Sequence, residues 1–137
     1  MIDFEQIRKY FSDTIIASGI FASDAIGWSN VVFDPAGKSL WMKENYLPVD
    51  EGFSDSVNGD QLQGILSYSI NVPIGAYAKP ATDAGVALGN LFPTASIVET
   101  ADYKISIDST KRSFQGKLSN DSKWYTVVID VHFKAYE

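Results

Sequence analysis

The 137-residue sequence contains no cysteine and a single histidine, His132. Without cysteine the chain has no disulfide, no iron–sulfur cluster, no cysteine-ligated zinc and no cysteine nucleophile, a composition typical of proteins made in a reducing cytoplasm. Long apolar runs are also missing, since none approaches the roughly 18 residues of a membrane helix. Asp3 and Glu5 stand where a secretory signal carries positive charge. We therefore expect one domain, residues 1–137, with neither a membrane span nor a secretory signal.

Motifs for nucleotide and catalytic chemistry are missing as well. The sequence has neither a Gly-x-x-x-x-Gly-Lys-Ser/Thr loop nor a Gly-x-Gly-x-x-Gly turn, the loops that hold nucleotide phosphates. His132 lies within an alternating strand pattern and no serine occupies a Gly-x-Ser-x-Gly elbow, so a catalytic triad is not indicated. Counted from Asp55, an EF-hand would need oxygen ligands where Val57 and Gly59 stand. We predict a protein that is not an enzyme and carries no metal or cofactor.

Acidic side chains outnumber basic ones by 17 to 11, which gives a net charge of −6. They are densest from Glu44 to Asp60, a segment without lysine or arginine. A surface of this kind repels nucleic-acid phosphates, so conventional nucleic-acid binding is disfavoured. The segment is either an ordinary solvated loop or a functional acidic surface.

Hydrophobic periodicity divides the chain into helices and strands. Apolar residues at spacings of three and four predict a helix from Phe4 to about Ser18 and a second helix from Pro80 to Leu91. Alternation predicts strands at 26–33, 40–47, 62–74, 103–107 and 125–135, with room for a short strand at 114–118. The sum is an α+β fold in which two helices pack on a largely antiparallel sheet.

Residues 48–60 are predicted to form a long loop or hairpin tip, because they are rich in Asp, Ser and Gly. Aromatic side chains beside such a polar segment are typical of protein interfaces, and the alternative is that they belong to the core. The candidate interaction residues combine apolar side chains with carboxylates in or beside this segment: Trp41, Tyr46, Leu47, Phe53, Asp50, Glu51 and Asp55.

The leading amphipathic helix and four segments after it carry a resemblance to a known family. The four segments are a strand closing at 46–48, the strand 61–70 running into 72–75, a small-residue helix that ends at 91–93, and the last strand at 124–131. In this order they resemble the tail terminator proteins of long-tailed, siphovirus-type bacteriophages. The resemblance covers nearly the whole chain but rests on turn and strand patterns, and it transfers no individual site residue.

The resemblance implies a virion subunit, assembled in the cytoplasm of a bacterial host, that forms a hexameric ring on the finished tail tube. The ring would stop tube polymerisation and present a surface to the head-side connector. The implied partners are further copies of the chain, the tube protein and the connector, and no membrane is involved. DNA would only pass through the lumen, where an acidic loop would not hold phosphates. The alternatives are another neck or tube subunit, a small-molecule binding module using the aromatic-rich sheet face, and a hydrolase built on His132, which the sequence disfavours most.

Overall fold

The structure is a computed structural model. It describes residues 4–29, 31–50, 61–100, 102–118 and 123–136, with the side chains of 48–50, 61 and 115–118 excepted. Helix α1 spans Phe4–Ser18 and helix α2 spans Lys79–Leu91. The strands are β1 (Ile26–Gly27), β2 (Trp41–Asp50), β3 (Gln61–Pro73), β4 (Ile97–Glu99), β5 (Lys104–Leu118) and β6 (Trp124–Tyr136).

These strands form one six-stranded sheet in the order β1-β2-β3-β6-β5-β4. The short β1 runs parallel to β2, and the other neighbouring strands are antiparallel. The sequence-based prediction of an α+β fold, with two helices on a largely antiparallel sheet, is confirmed.

Both helices pack on one face of the sheet, and the core lies between the helices and this face. Alternate side chains of β6 point to this face, among them Ile129 and Phe133, which are at most 1% exposed. The ring of Phe11 in α1 lies 5.1 Å from that of Phe133. Gly85 brings α2 close to the sheet, because a Cβ at this position would lie 2.9 Å from the Phe114 ring. The glycine that weakens the helix locally therefore permits its close packing.

Three strand predictions need correction. The predicted strand at 26–33 is limited to β1, and Val32 beyond it is fully exposed, because the chain leaves the sheet after Gly27. The predicted strands at 103–107 and 114–118 are parts of one continuous β5, whose register shifts interrupt the alternation. Strand β4 was not predicted, because three residues are too few to show a period. The predicted loop at 48–60 begins later, since β2 continues to Asp50.

Candidate assembly surface

The second face of the sheet is covered by neither helix. Successive side chains of a strand point to opposite faces, so the neighbours of the buried core residues in β2, β3 and β6 point away from α1 and α2. We call this surface the open face, and it consists of Lys43, Asn45, Leu47, Ile65, Ser67, Ser69, Val128, Asp130 and His132.

An apolar pair lies on the open face. Leu47 and Ile65 are register partners between β2 and β3, and the same row continues to His132 in β6 and Ser109 in β5. Leu47 is 50% exposed, and Ile65 is half-buried between neighbouring strands. Single exposed apolar residues are common on proteins, but a pair of neighbouring apolar residues on a sheet face that neither α1 nor α2 covers offers a surface that association would bury.

The candidate residues Tyr46 and Leu47 lie on opposite faces of the sheet. Leu47 is on the open face, whereas the Tyr46 ring packs under α1, with its centroid 4.2 Å from that of Phe4. The ring also fills the space above Gly64, where an added Cβ would lie 2.5 Å from it. The two residues therefore cannot share one contact surface. Of the two alternatives for the aromatic residues, interface or core, Tyr46 belongs to the core.

Trp41 is also part of a packed cluster and is not available to a partner. It is 8% exposed, and its ring lies 5.4 Å from Phe33 and 5.4 Å from Trp124, edge to face in the second contact. The pair Asn71 and Thr126 continues the row of Trp41 across the sheet, joined by a hydrogen bond from the Thr126 hydroxyl to Asn71 Oδ1 (2.6 Å). Because Phe33 packs on Trp41, the segment that follows β1 covers the end of the open face where Trp41 lies.

The remaining candidate residues lie outside what the structure describes. Phe53, Glu51 and Asp55 are outside the described residues, and for Asp50 only the backbone, at the end of β2, is described. Their expected place at a contact or in a ring lumen stays a prediction.

Glu44, the first carboxylate of the acidic segment, is buried rather than on the surface. It is 0% exposed, and Arg8 Nε of α1 donates to its Oε1 at 3.2 Å. Arg8 Nη2 also donates to the carbonyl of Ser29 (2.6 Å), whose hydroxyl donates to the Glu44 carbonyl (2.9 Å). This cluster joins α1, β2 and the segment after β1. The sequence pattern indicates this burial, because Glu44 occupies the even position between Met42 and Tyr46, on the helix-facing side.

Tyr68, the register partner of Glu44 in β3, lies beneath the same cluster and is fully buried. Burial raises the pKa of the Tyr68 hydroxyl well above its ordinary value, and the neighbouring Glu44 carboxylate raises it further, because both disfavour the phenolate. The folded protein therefore keeps this proton at a pH where the unfolded chain has lost it.

This difference predicts a loss of stability at alkaline pH. The tyrosine of the unfolded chain ionises near pH 10, so above about that pH the unfolded state binds one proton fewer and the free energy of unfolding falls by about 1.4 kcal/mol per pH unit. Below it Tyr68 contributes no pH dependence. Tyr68→Phe should remove this part of the slope in urea denaturation measured between about pH 8 and 11. Tyr77→Phe, at a side chain that is 89% exposed, is the control, and an equal change in both variants would contradict the assignment.

The described part of the chain shows no grouping of three or more His, Asp or Glu side chains that could hold a metal ion. Within the same residues, no helix has the length and apolarity needed to cross a bilayer. His132 lies on the open face, in the row of Leu47 and Ile65.

Comparison with known proteins gives the fold but no activity. No protein-family model matches the sequence, and no curated protein matches it. Among solved structures, the chain is similar to a protein whose name describes no function, with a TM-score of 0.73 and 18% identity. The alignment covers 98% of this chain and 96% of that one. At this identity the likeness supports the α+β fold alone and says nothing of what the protein does.

Proposed function

We propose that the chain is a structural subunit that associates with copies of itself into a ring, as a tail terminator does at the end of a phage tail tube. The observation that carries this proposal is the open face, where the exposed Leu47 pairs with the half-buried Ile65 on a sheet whose other face packs against two helices. Such a face is a natural contact surface for a neighbouring subunit.

The resemblance to tail terminators supports the same surface. The quoted segment 46–48 lies in β2 and the segment 61–70 lies in β3, so two of the four segments form the strand pair that carries Leu47 and Ile65. In a ring each subunit uses one surface against a different surface of the next copy. The open face is one of these two surfaces in our proposal, and the ring then ends tube growth and joins the head-side connector.

A charge placed in the contact tests this proposal. Leu47→Asp should weaken self-association by at least about 100-fold, because an unpaired carboxylate would be buried at every subunit contact. Since Leu47 is 50% exposed in the single subunit, the variant should fold as the wild type does. Sedimentation velocity over a range of protein concentrations, alone and with tail tubes, measures the association.

The matched control is Val86→Asp. Val86 lies in α2, away from the open face, and is 43% exposed, so its substitution introduces the same charge at a similar exposure. We expect Val86→Asp to associate as the wild type does, with circular dichroism confirming the fold of both variants. Unchanged association of Leu47→Asp, or a wild-type chain that stays monomeric even with tubes, would contradict the proposal.

A further inference from the structure

A groove with an apolar lining runs between α1 and the segment that follows β1. Its volume is about 490 Å³, and its apolar part consists of Ile16 from α1 with Trp28 and Val31 from that segment. Ile16 is 55% exposed and Val31 is 60% exposed, and Val32, next in the chain, is fully exposed. Ile16 follows the buried Ile15 and lies off the core-facing stripe of α1, so the core does not need it.

The walls of the groove are held in place by contacts within the subunit. The N–H of Val31 donates to the carbonyl of Trp28 at 3.2 Å, which closes a turn after β1. The Trp28 side chain packs against the hydrophobic core. Arg8 ties the segment to α1 through its hydrogen bond to the Ser29 carbonyl. Walls fixed in this way lose little freedom when a partner binds, which favours association.

The groove is locally basic in an acidic chain. Its lining contains Arg8 and Lys9 against one carboxylate, Glu5, whereas the whole chain carries a net charge of −6. Lys9 pairs with a carboxylate one turn further along α1, and this exposed pair exchanges at little cost. The Leu47 end of the open face has the opposite charge, because β2 continues to Asp50. Asp50 is the first of four carboxylates up to residue 60, with no lysine or arginine between them.

We infer that this groove is the second surface of the ring contact, against which the open face of the next copy packs. The inference rests on the proposed function, because a ring needs two different surfaces on each subunit. The open face brings Leu47 and Ile65, and the groove brings an apolar complement and the opposite charge. An apolar cavity of about 150 Å³ holds benzene, so a groove of about 490 Å³ has room for both side chains.

A charge placed in the groove tests this inference. Ile16→Asp and Val31→Asp should each weaken self-association by at least about 100-fold, because an unpaired carboxylate would be buried at every subunit contact. Both side chains are more than half exposed in the single subunit, so both variants should fold. The control is Ile97→Asp, 62% exposed in β4 at the opposite edge of the sheet, which should associate as the wild type does. Sedimentation velocity measures association, and circular dichroism checks the fold.

Mixing two variants tests whether the two surfaces bind each other. Ile16→Asp keeps an intact open face and Leu47→Asp keeps an intact groove, so each variant alone should be monomeric. An equimolar mixture should form a dimer with one copy of each, at concentrations up to about 1 mM. The dimer should not grow, because both of its remaining surfaces carry the introduced charge.

The outcomes separate this inference from the proposed function. The groove is overturned as a contact if Ile16→Asp and Val31→Asp associate as the wild type does while Leu47→Asp does not. It is also overturned if the mixture stays monomeric at about 1 mM, or if Ile97→Asp weakens association as much as Ile16→Asp. A monomeric wild-type chain, or unchanged association of Leu47→Asp, contradicts the proposed function and the inference with it.

Discussion

Replacing Arg8 with methionine is expected to lower the free energy of unfolding by about 3 kcal/mol. The substitution keeps an apolar stem of similar length and leaves the Glu44 carboxylate, 0% exposed, without its cationic partner. Breaking a buried ion pair costs about 3 to 5 kcal/mol, since one charge stays desolvated. We expect the lower end of this energy range because the Arg8 side chain is 19% exposed and keeps some contact with solvent.

The control variants separate the loss of charge pairing from the loss of packing. Lys9→Met, next in α1, breaks an exposed pair with Asp13 and should leave the free energy of unfolding almost unchanged, because solvent screens this pair. The double variant Arg8→Met with Glu44→Gln removes the stranded charge and should be more stable than Arg8→Met alone. Urea denaturation measures all three, and a double variant no more stable than the single one would show that the cost comes from packing.

Replacing Ile129 with alanine is expected to lower the free energy of unfolding by about 2 to 5 kcal/mol. Ile129 is 0% exposed, between its partners Tyr68 and Arg112 in the sheet, and it faces Gly85 of α2. Removing three carbon atoms there loses apolar burial and leaves a cavity that sheet and helix cannot close. Since a domain of this size is stable by about 5 to 15 kcal/mol, the loss is a large share of the total.

The neighbouring residue provides the control for Ile129. Val128 lies on the open face and is half-buried, so Val128→Ala should cost less than about 1 kcal/mol. Comparison of denaturation midpoints and slopes for the two variants tests the assignment of faces in β6. Equal losses in both would mean that the open face is packed as tightly as the core.

The parts of the fold that sequence reasoning predicted are those with a long, regular period. In β6 the alternation continues without interruption, so the sequence alone placed Ile129 in the core. In β5 the bulges near Ile107 and Ser113 shift the register, and the period is lost although the strand continues. Register is a tertiary property, and residues distant in sequence determine it.

The candidate site shows the same division between local and tertiary information. The alternation along β2 places Leu47 and Tyr46 on opposite faces, but only the packed structure shows that Leu47 is exposed and that Tyr46 is covered by Phe4. The ion pair of Glu44 joins it to Arg8, 36 residues earlier, so no local pattern names the partner. The contact between Phe33 and Trp41 likewise requires the segment after β1 to fold back over β2, which a continuous strand at 26–33 does not allow.

The proposed function is tested most directly by electron microscopy of phage tail tubes that assemble in the presence of the chain. We expect the wild-type chain to form a sixfold ring on the tube end and to stop further growth, whereas Leu47→Asp should leave bare, growing ends. Bare ends and continued tube growth in the presence of the wild-type chain would contradict it.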